Sequence, residues 1–167
     1  STANHLIDYP NSMNYRYDNV ITLRTFSKAY GLAGFRIGYG FSHESLIENL
    51  LKVKVPFEPS YLAQVAGTAA LDDSEFMQET IKKNKNQKIK IEKKLDELGI
   101  KRIPSATNFI TTYWGSEIMA KEITQKILDK GIILRHLSSF GWPEYVRISI
   151  GLEDENEFFI KSLQEII

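Results

Sequence analysis

The spacing of apolar residues changes period along this chain, and each change predicts a new element. Residues 1–17 carry no period: Asn4, Asp8, Pro10, Asn11, Ser12 and Asn14 make a polar, turn-rich stretch that reads as a surface connection. Residues 19–26 (NVITLRTF) are rich in β-branched and aromatic side chains, which suit a pleated, half-buried surface, so a strand is predicted. Gly31 and Gly34 punctuate the turn that follows. Residues 35–41 (FRIGYGF) then alternate bulky apolar residues with Arg36, Gly38 and Gly40. They predict a second strand, one whose glycines admit a close neighbour to the backbone.

Helical spacing takes over at 45–54, where Leu46, Ile47, Leu50 and Leu51 share a face. Pro56 and Pro59 interrupt it, and Ser60 is placed to cap a second helix reaching Leu71, whose small residues suit close packing. The longest helical pattern covers 74–98. Met77, Ile81, Asn84, Lys88, Ile91, Leu95 and Leu98 form one stripe, and Gly99 closes it as a C-cap. Between Lys82 and Lys94 lie seven lysines and one glutamate, a run that reads as a solvated helix surface or as an anion-binding or partner-docking face. Beyond it, strands predicted at 108–114, 132–137 and 145–150 alternate with helices at 117–130 and 153–167, which indicates an α/β fold class. The domain boundary is expected in the helical region 56–73, leaving 1–55 as one part and 74–167 as a small α/β domain with its own core.

Composition removes several alternatives. The hydrophobic fraction of 43% supports a real core and argues against disorder. Lysine plus arginine and aspartate plus glutamate are each 21, so the chain has no net field to attract nucleic acid or an anionic membrane. The absence of cysteine excludes disulfides, thiolate metal sites and thiol catalysis. His5, His43 and His136 are too scattered for a metal-ligand motif, so no metal is expected. No apolar run approaches the ~18 residues of a membrane span. The resulting expectation is a soluble, cytoplasmic protein that acts on small molecules.

The chemistry concentrates in Thr25-Phe26-Ser27-Lys28-Ala29-Tyr30-Gly31-Leu32-Ala33-Gly34-Phe35-Arg36. A lysine just past a hydrophobic strand sits where ligand crevices of α/β folds open. Thr25 and Ser27 flank it, and Arg36 follows eight residues later. Hydroxyls and a guanidinium are the parts of a phosphate site, because short hydrogen bonds and a planar fork of donors both suit phosphate oxygens. An amine beside such a site suits a Schiff base to a phosphorylated aldehyde. Taken singly, Lys28 would read as a surface lysine and Arg36 as an ion-pair partner. The whole string favours the site.

That string resembles the lysine-attachment motif of fold type I pyridoxal-phosphate aminotransferases, and SKAYGLAGFRIGY is similar, more narrowly, to the histidinol-phosphate aminotransferase family. The likeness continues through KVPFEPSYLAQVAGTAAL, PSATNFI and GIILRHLSSFGWPEYVRISIG, covering residues 18–160. It implies that 1–55 is the end of a large cofactor-binding domain, carrying its last strands, and that 74–167 is the carboxy-terminal small domain. It implies pyridoxal 5'-phosphate as cofactor. Lys28 would be its attachment point and the acid–base that moves the substrate proton; Thr25, Ser27 and Arg36 would hold the cofactor phosphate. Arg147 would pair with the substrate α-carboxylate. Arg135 would recognise the distal acid, the phosphate of histidinol phosphate or the side-chain carboxylate of glutamate.

By the same resemblance the enzyme would be a homodimer of histidine biosynthesis, transferring an amino group between histidinol phosphate and 2-oxoglutarate or glutamate. Aromatic amino-acid aminotransferases and amino-acid phosphate decarboxylases share the scaffold, as do effector-sensing domains of transcription regulators. Tyr30, Trp142 and the pair Gly151-Leu152 depart from the usual pattern, mostly toward the substrate side. The family's phosphate loop, ring-stacking aromatic and pyridine-pairing aspartate all precede its lysine. Asp8, in a Pro- and Asn-rich stretch, does not read as that aspartate. The chain, starting at Ser1, is therefore expected to be a carboxy-terminal fragment, inactive alone.

Overall fold

The computed structural model describes residues 10–15 and 17–167. The predicted polar stretch with Asp8 lies largely outside them. Backbone proximity divides the described chain into two compact units, Pro10–Ile81 and Lys82–Ile167.

In the first unit, β1 (Thr22–Thr25) and β2 (Gly38–Phe41) pair antiparallel, with Thr22 opposite Phe41 and Thr25 opposite Gly38. Both are shorter than the β-rich sequence suggests, because only these residues find partners. The Cβ that any other residue would carry at position 38 would fall 2.6 Å from the Arg24 carbonyl oxygen, so the close approach is to the neighbouring strand. Helices α1 (Glu44–Val53) and α2 (Tyr61–Asp72) follow, the second capped by Ser60, whose hydroxyl accepts from the Ala63 N–H at 3.2 Å. The buried centre is Phe26, with Tyr30 and Tyr39 rings 4.9 and 5.3 Å away. Gly67 of α2 lies so near that a Cβ there would touch Ile37 at 3.0 Å and Phe26 at 3.7 Å. Small residues in α2 thus let the helix seat against the turn that carries Lys28.

Helix α3 (Ser74–Glu97) runs into the second unit and ends as expected. Gly99 takes φ +69°, and the Ile100 N–H reaches back to the Leu95 carbonyl at 2.9 Å. Four strands follow, β3 (Lys101–Ile103), β4 (Phe109–Tyr113), β5 (Arg135–His136) and β6 (Tyr145–Ser149), in the order β3-β4-β6-β5 with every pairing antiparallel. Helix α4 (Glu117–Asp129) joins β4 to β5, and α5 (Glu153–Gln164) closes the described elements. Side chains alternate between the two faces of the sheet, and burial follows that alternation in β6, while in β4 Thr111 is buried on the second face as well. Ile110, Val146 and Ile148 face a core built with Ile91 and Leu95 of α3, Ile127 of α4, and Phe159 and Leu163 of α5. Burying each such side chain contributes roughly 1.5–3 kcal/mol. Thr112 shares this core face and is satisfied there: its hydroxyl donates to the Val146 carbonyl at 3.0 Å and accepts from the Trp114 indole at 2.9 Å. The opposite face carries Phe109, Thr111 and Arg147.

The polar members of the α3 stripe also have work to do. Asn84 donates to the Thr107 carbonyl at 3.4 Å, and the Lys88 ammonium donates to the Ser105 carbonyl. Together they tie the loop ahead of β4 to the helix. Lys90 pairs with Glu153 and Lys94 with Glu97, so part of the lysine run serves structural contacts.

Candidate functional site

Lys28 sits in a turn closed by backbone hydrogen bonds. The Gly31 N–H donates to the Lys28 carbonyl at 2.9 Å, and the Leu32 N–H donates to the Phe26 carbonyl at 3.0 Å. Gly31 takes φ +70°, the left-handed conformation that glycine adopts without strain. The Thr25 hydroxyl accepts from the Ser27 N–H at 3.0 Å, which folds the two hydroxyl residues toward one another. Arg36 ends the short 3-10 turn Ala33–Phe35 with φ +51°, unusual for a residue with a side chain. Its guanidinium donates back to the Ala33 carbonyl at 2.9 Å. Thr25, Lys28 and Arg36 are exposed, and Ser27 is half-buried. The Lys28 ammonium makes no side-chain hydrogen bond or ion pair among the described residues. One turn therefore carries two hydroxyls, an ammonium and a guanidinium, a donor set that fits a phosphorylated aldehyde.

The second cluster is an open cleft of about 660 Å³ on the outer face of the four-stranded sheet. Arg147 of β6 lines it with Phe109, Thr111, Phe140 and Trp142, under the loop Ser105–Thr107. In the register Arg135 of β5 stands directly opposite Arg147, and Thr111 of β4 opposite it on the other side. Directly opposed like charges repel at this spacing. Neither guanidinium has a carboxylate partner among the described residues. Instead the Arg147 guanidinium lies over the Phe109 ring at 5.2 Å, and that of Arg135 over Phe140 at 5.8 Å. Arg135 is exposed and reaches the Ser139 hydroxyl at 3.4 Å; Arg147 is half-buried, its Nε enclosed and without a hydrogen-bond acceptor.

The structure thus gathers Thr25, Ser27, Lys28 and Arg36 in one unit and Arg135 with Arg147 in the other. Sequence reasoning missed Phe109 and Phe140 as partners of the arginines. Phe109 is an ordinary aromatic in a strand and Phe140 one in a serine- and glycine-flanked turn, and only the tertiary structure reveals the cation beside each. Trp142, noted as a departure, lines the cleft and meets the Tyr145 ring at 5.2 Å, tilted by 47°. Among the described residues no group of acidic and histidine side chains could hold a metal, and no helix is long and apolar enough to cross a membrane.

Comparison with known proteins gives a consistent result. The family pattern for aminotransferase class I and II matches residues 8–163. The chain is 41% identical, over its whole length, to a histidinol-phosphate aminotransferase of Geobacillus sp. (strain WCH70), of which it covers 45%. It is 38% identical to that of Aliarcobacter butzleri, covering 95% of the chain and 43% of the relative. Among solved structures, histidinol-phosphate aminotransferase from Sinorhizobium meliloti in complex with pyridoxal-5'-phosphate superposes with a TM-score of 0.81 at 31% identity, over 90% of this chain and 42% of that one. The chain spans less than half the length of these relatives.

Proposed function

The chain belongs to the class I and II aminotransferases, and on that premise we propose that it supplies the lysine turn and the arginine face of an enzyme that moves an amino group between histidinol phosphate and 2-oxoglutarate or glutamate, a step of histidine biosynthesis. The observation that carries the choice of substrate is the pair Arg135 and Arg147, opposite one another in the register and without carboxylate partners among the described residues, with Arg147 at the wall of a mostly apolar cleft. Both proposed substrates are acids, and both can be gripped by the same cations in alternate half-reactions. The named relatives support the same assignment.

The lysine turn fits pyridoxal 5'-phosphate, which when bound supplies an electron sink for the substrate α-carbon. Thr25, Ser27 and Arg36 hold the phosphate through two hydroxyls and a guanidinium. Lys28 would be the amine that holds the cofactor aldehyde, and its amino group would carry the proton at the substrate α-carbon. Arg147 orients the α-carboxylate. Arg135, more exposed, reads the distal phosphate or carboxylate. A homodimer in the cytoplasm completes the reading by family resemblance, and sedimentation of the purified protein tests the dimer.

The test is turnover of histidinol phosphate with 2-oxoglutarate by the full-length protein, alongside Lys28→Ala. The wild type is expected to form glutamate. The variant should lose the yellow absorbance of the bound cofactor and roughly 10⁴-fold or more in rate, the upper range for losing a positioned acid–base. A wild type that transfers amino groups from aromatic amino acids and leaves histidinol phosphate untouched would overturn the substrate assignment.

A further inference from the structure

A carboxylate across the strand is one way to settle an arginine on a sheet. Here both are held by rings. The Phe109 ring is the diagonal neighbour of Arg147: Thr111 stands opposite Arg147, and Phe109 lies two residues before it on the same face. The ring centroid is 5.2 Å from the guanidinium carbon, within cation–π range. Phe109 is itself fixed from behind. Its carbonyl accepts from the Ser105 hydroxyl at 2.6 Å and from the Thr107 hydroxyl at 3.2 Å, and those two hydroxyls are 2.9 Å apart. That knot is tied to α3 through Asn84 and Lys88.

We propose that Phe109 is a positioning residue: it holds the Arg147 guanidinium by its π face in place of a carboxylate, and so keeps the N–H donors aimed at the cleft and open to an incoming acid. The physical case is one of competition. A carboxylate partner would occupy the same donors a substrate carboxylate needs, and its displacement would cost a strong charge-assisted hydrogen bond. A ring attracts the cation without occupying any N–H in its plane. It also restrains a long side chain whose ordering would otherwise subtract from binding. Repulsion from Arg135 directly opposite is then relieved only when an anion arrives. Phe140 offers Arg135 the same kind of support at 5.8 Å, though in a more exposed place.

The proposal deepens the reading of Arg147 as a carboxylate anchor and rests on it. Its test is therefore made by binding as well as by turnover. Isothermal titration of 2-oxoglutarate into the full-length protein would compare wild type, Phe109→Leu and Phe109→Tyr, each also on an Arg147→Gln background, which removes the cation. Phe109→Leu should weaken binding about fivefold, the ratio that about 1 kcal/mol of cation–π attraction represents. Phe109→Tyr should bind as wild type does, and the loss should vanish once Arg147 is already replaced. KM for the acid should rise by the same factor while kcat changes less than about twofold. If Phe109→Leu folds poorly, a trifluorinated phenylalanine at 109 keeps the shape and weakens only the π face, and a loss of about threefold is expected. Unchanged binding in that variant, or an equal loss on the Arg147→Gln background, overturns the proposal. Failure of the wild type to transfer an amino group, with the ring-dependent binding intact, would overturn the proposed reaction and leave this inference standing.

Discussion

The two units of this chain bury their apolar residues very differently. Lys82–Ile167 closes a core of its own in which Leu95, Ile110, Ile127 and Val146 have no solvent exposure. Pro10–Ile81 has Phe26 and Ala63 as its buried hydrophobic residues, while Leu23, Val53, Leu62 and Phe57 are exposed by 77%, 77%, 70% and 97%. Both units have strong sequence patterning; α1 is as clearly amphipathic as α4, yet α1 buries nothing among the described residues and α4 buries Ala120, Ile123 and Ile127. An apolar stripe states what a helix needs, and the surroundings decide whether the need is met. The contrast also separates the two halves of the proposed chemistry. The arginine face stands on a closed core, whereas the lysine turn stands on a region with much apolar surface in water.

The strongest way to break this comparison is to separate the regions. A polypeptide of residues 74–167 is expected to show a cooperative thermal transition, and one of residues 10–73 none, as followed by circular dichroism; a cooperative transition in the shorter piece would dissolve the distinction. A matched pair of substitutions sharpens it. Leu95→Ala should cost about 2–5 kcal/mol in denaturant unfolding, since a fully buried leucine leaves a cavity. Leu51→Ala, at a position 60% exposed, should change stability by less than about 0.5 kcal/mol.

The smallest effect expected is in pH dependence. Glu153, Glu165 and Glu117 are held below the usual carboxylate range, chiefly by hydrogen bonds from Lys90, Lys130 and Lys121. A lowered folded-state value means that their stabilisation is present above the unfolded carboxylate pKa and is lost as pH falls through the folded one. The Lys90 ammonium is raised by its hydrogen bond to Glu153, so its contribution is present below the ordinary lysine range and is lost as pH rises through the raised value. All four groups are exposed, and solvent and salt screen them. Only a slight dip in the melting temperature is expected in acid. Glu153→Gln should remove part of that dip in low salt and none of it in high salt, as measured by calorimetry across the pH range.

Much of the fold was legible locally. Ser60 and Gly99 announced helix ends because capping is decided within one turn of chain. The three-residue β3 escaped notice: Lys101-Arg102-Ile103 has no period to read and is a strand only because β4 offers an edge. Residues 132–137 looked like a full strand, yet only Arg135 and His136 pair with β6. The left-handed backbone of Arg36 was equally invisible, since arginine carries no signal for positive φ.

What the sequence determined by itself was which candidate groups the turn from Thr25 to Arg36 carries. There the candidate groups are neighbours along the chain, so their order and spacing keep them within one turn. The arginine face is different in kind. Arg135 and Arg147 lie on strands joined through a short 3-10 turn, and a whole helix lies between them and Phe109. Their meeting depends on a register in which a slip of one residue would send each side chain to the opposite face. That register is set by Ile110, Val146 and Ile148 seeking the core on the other side of the sheet. Burial on one face thus decided which cations and rings stand together on the other, and only the tertiary structure could make that decision.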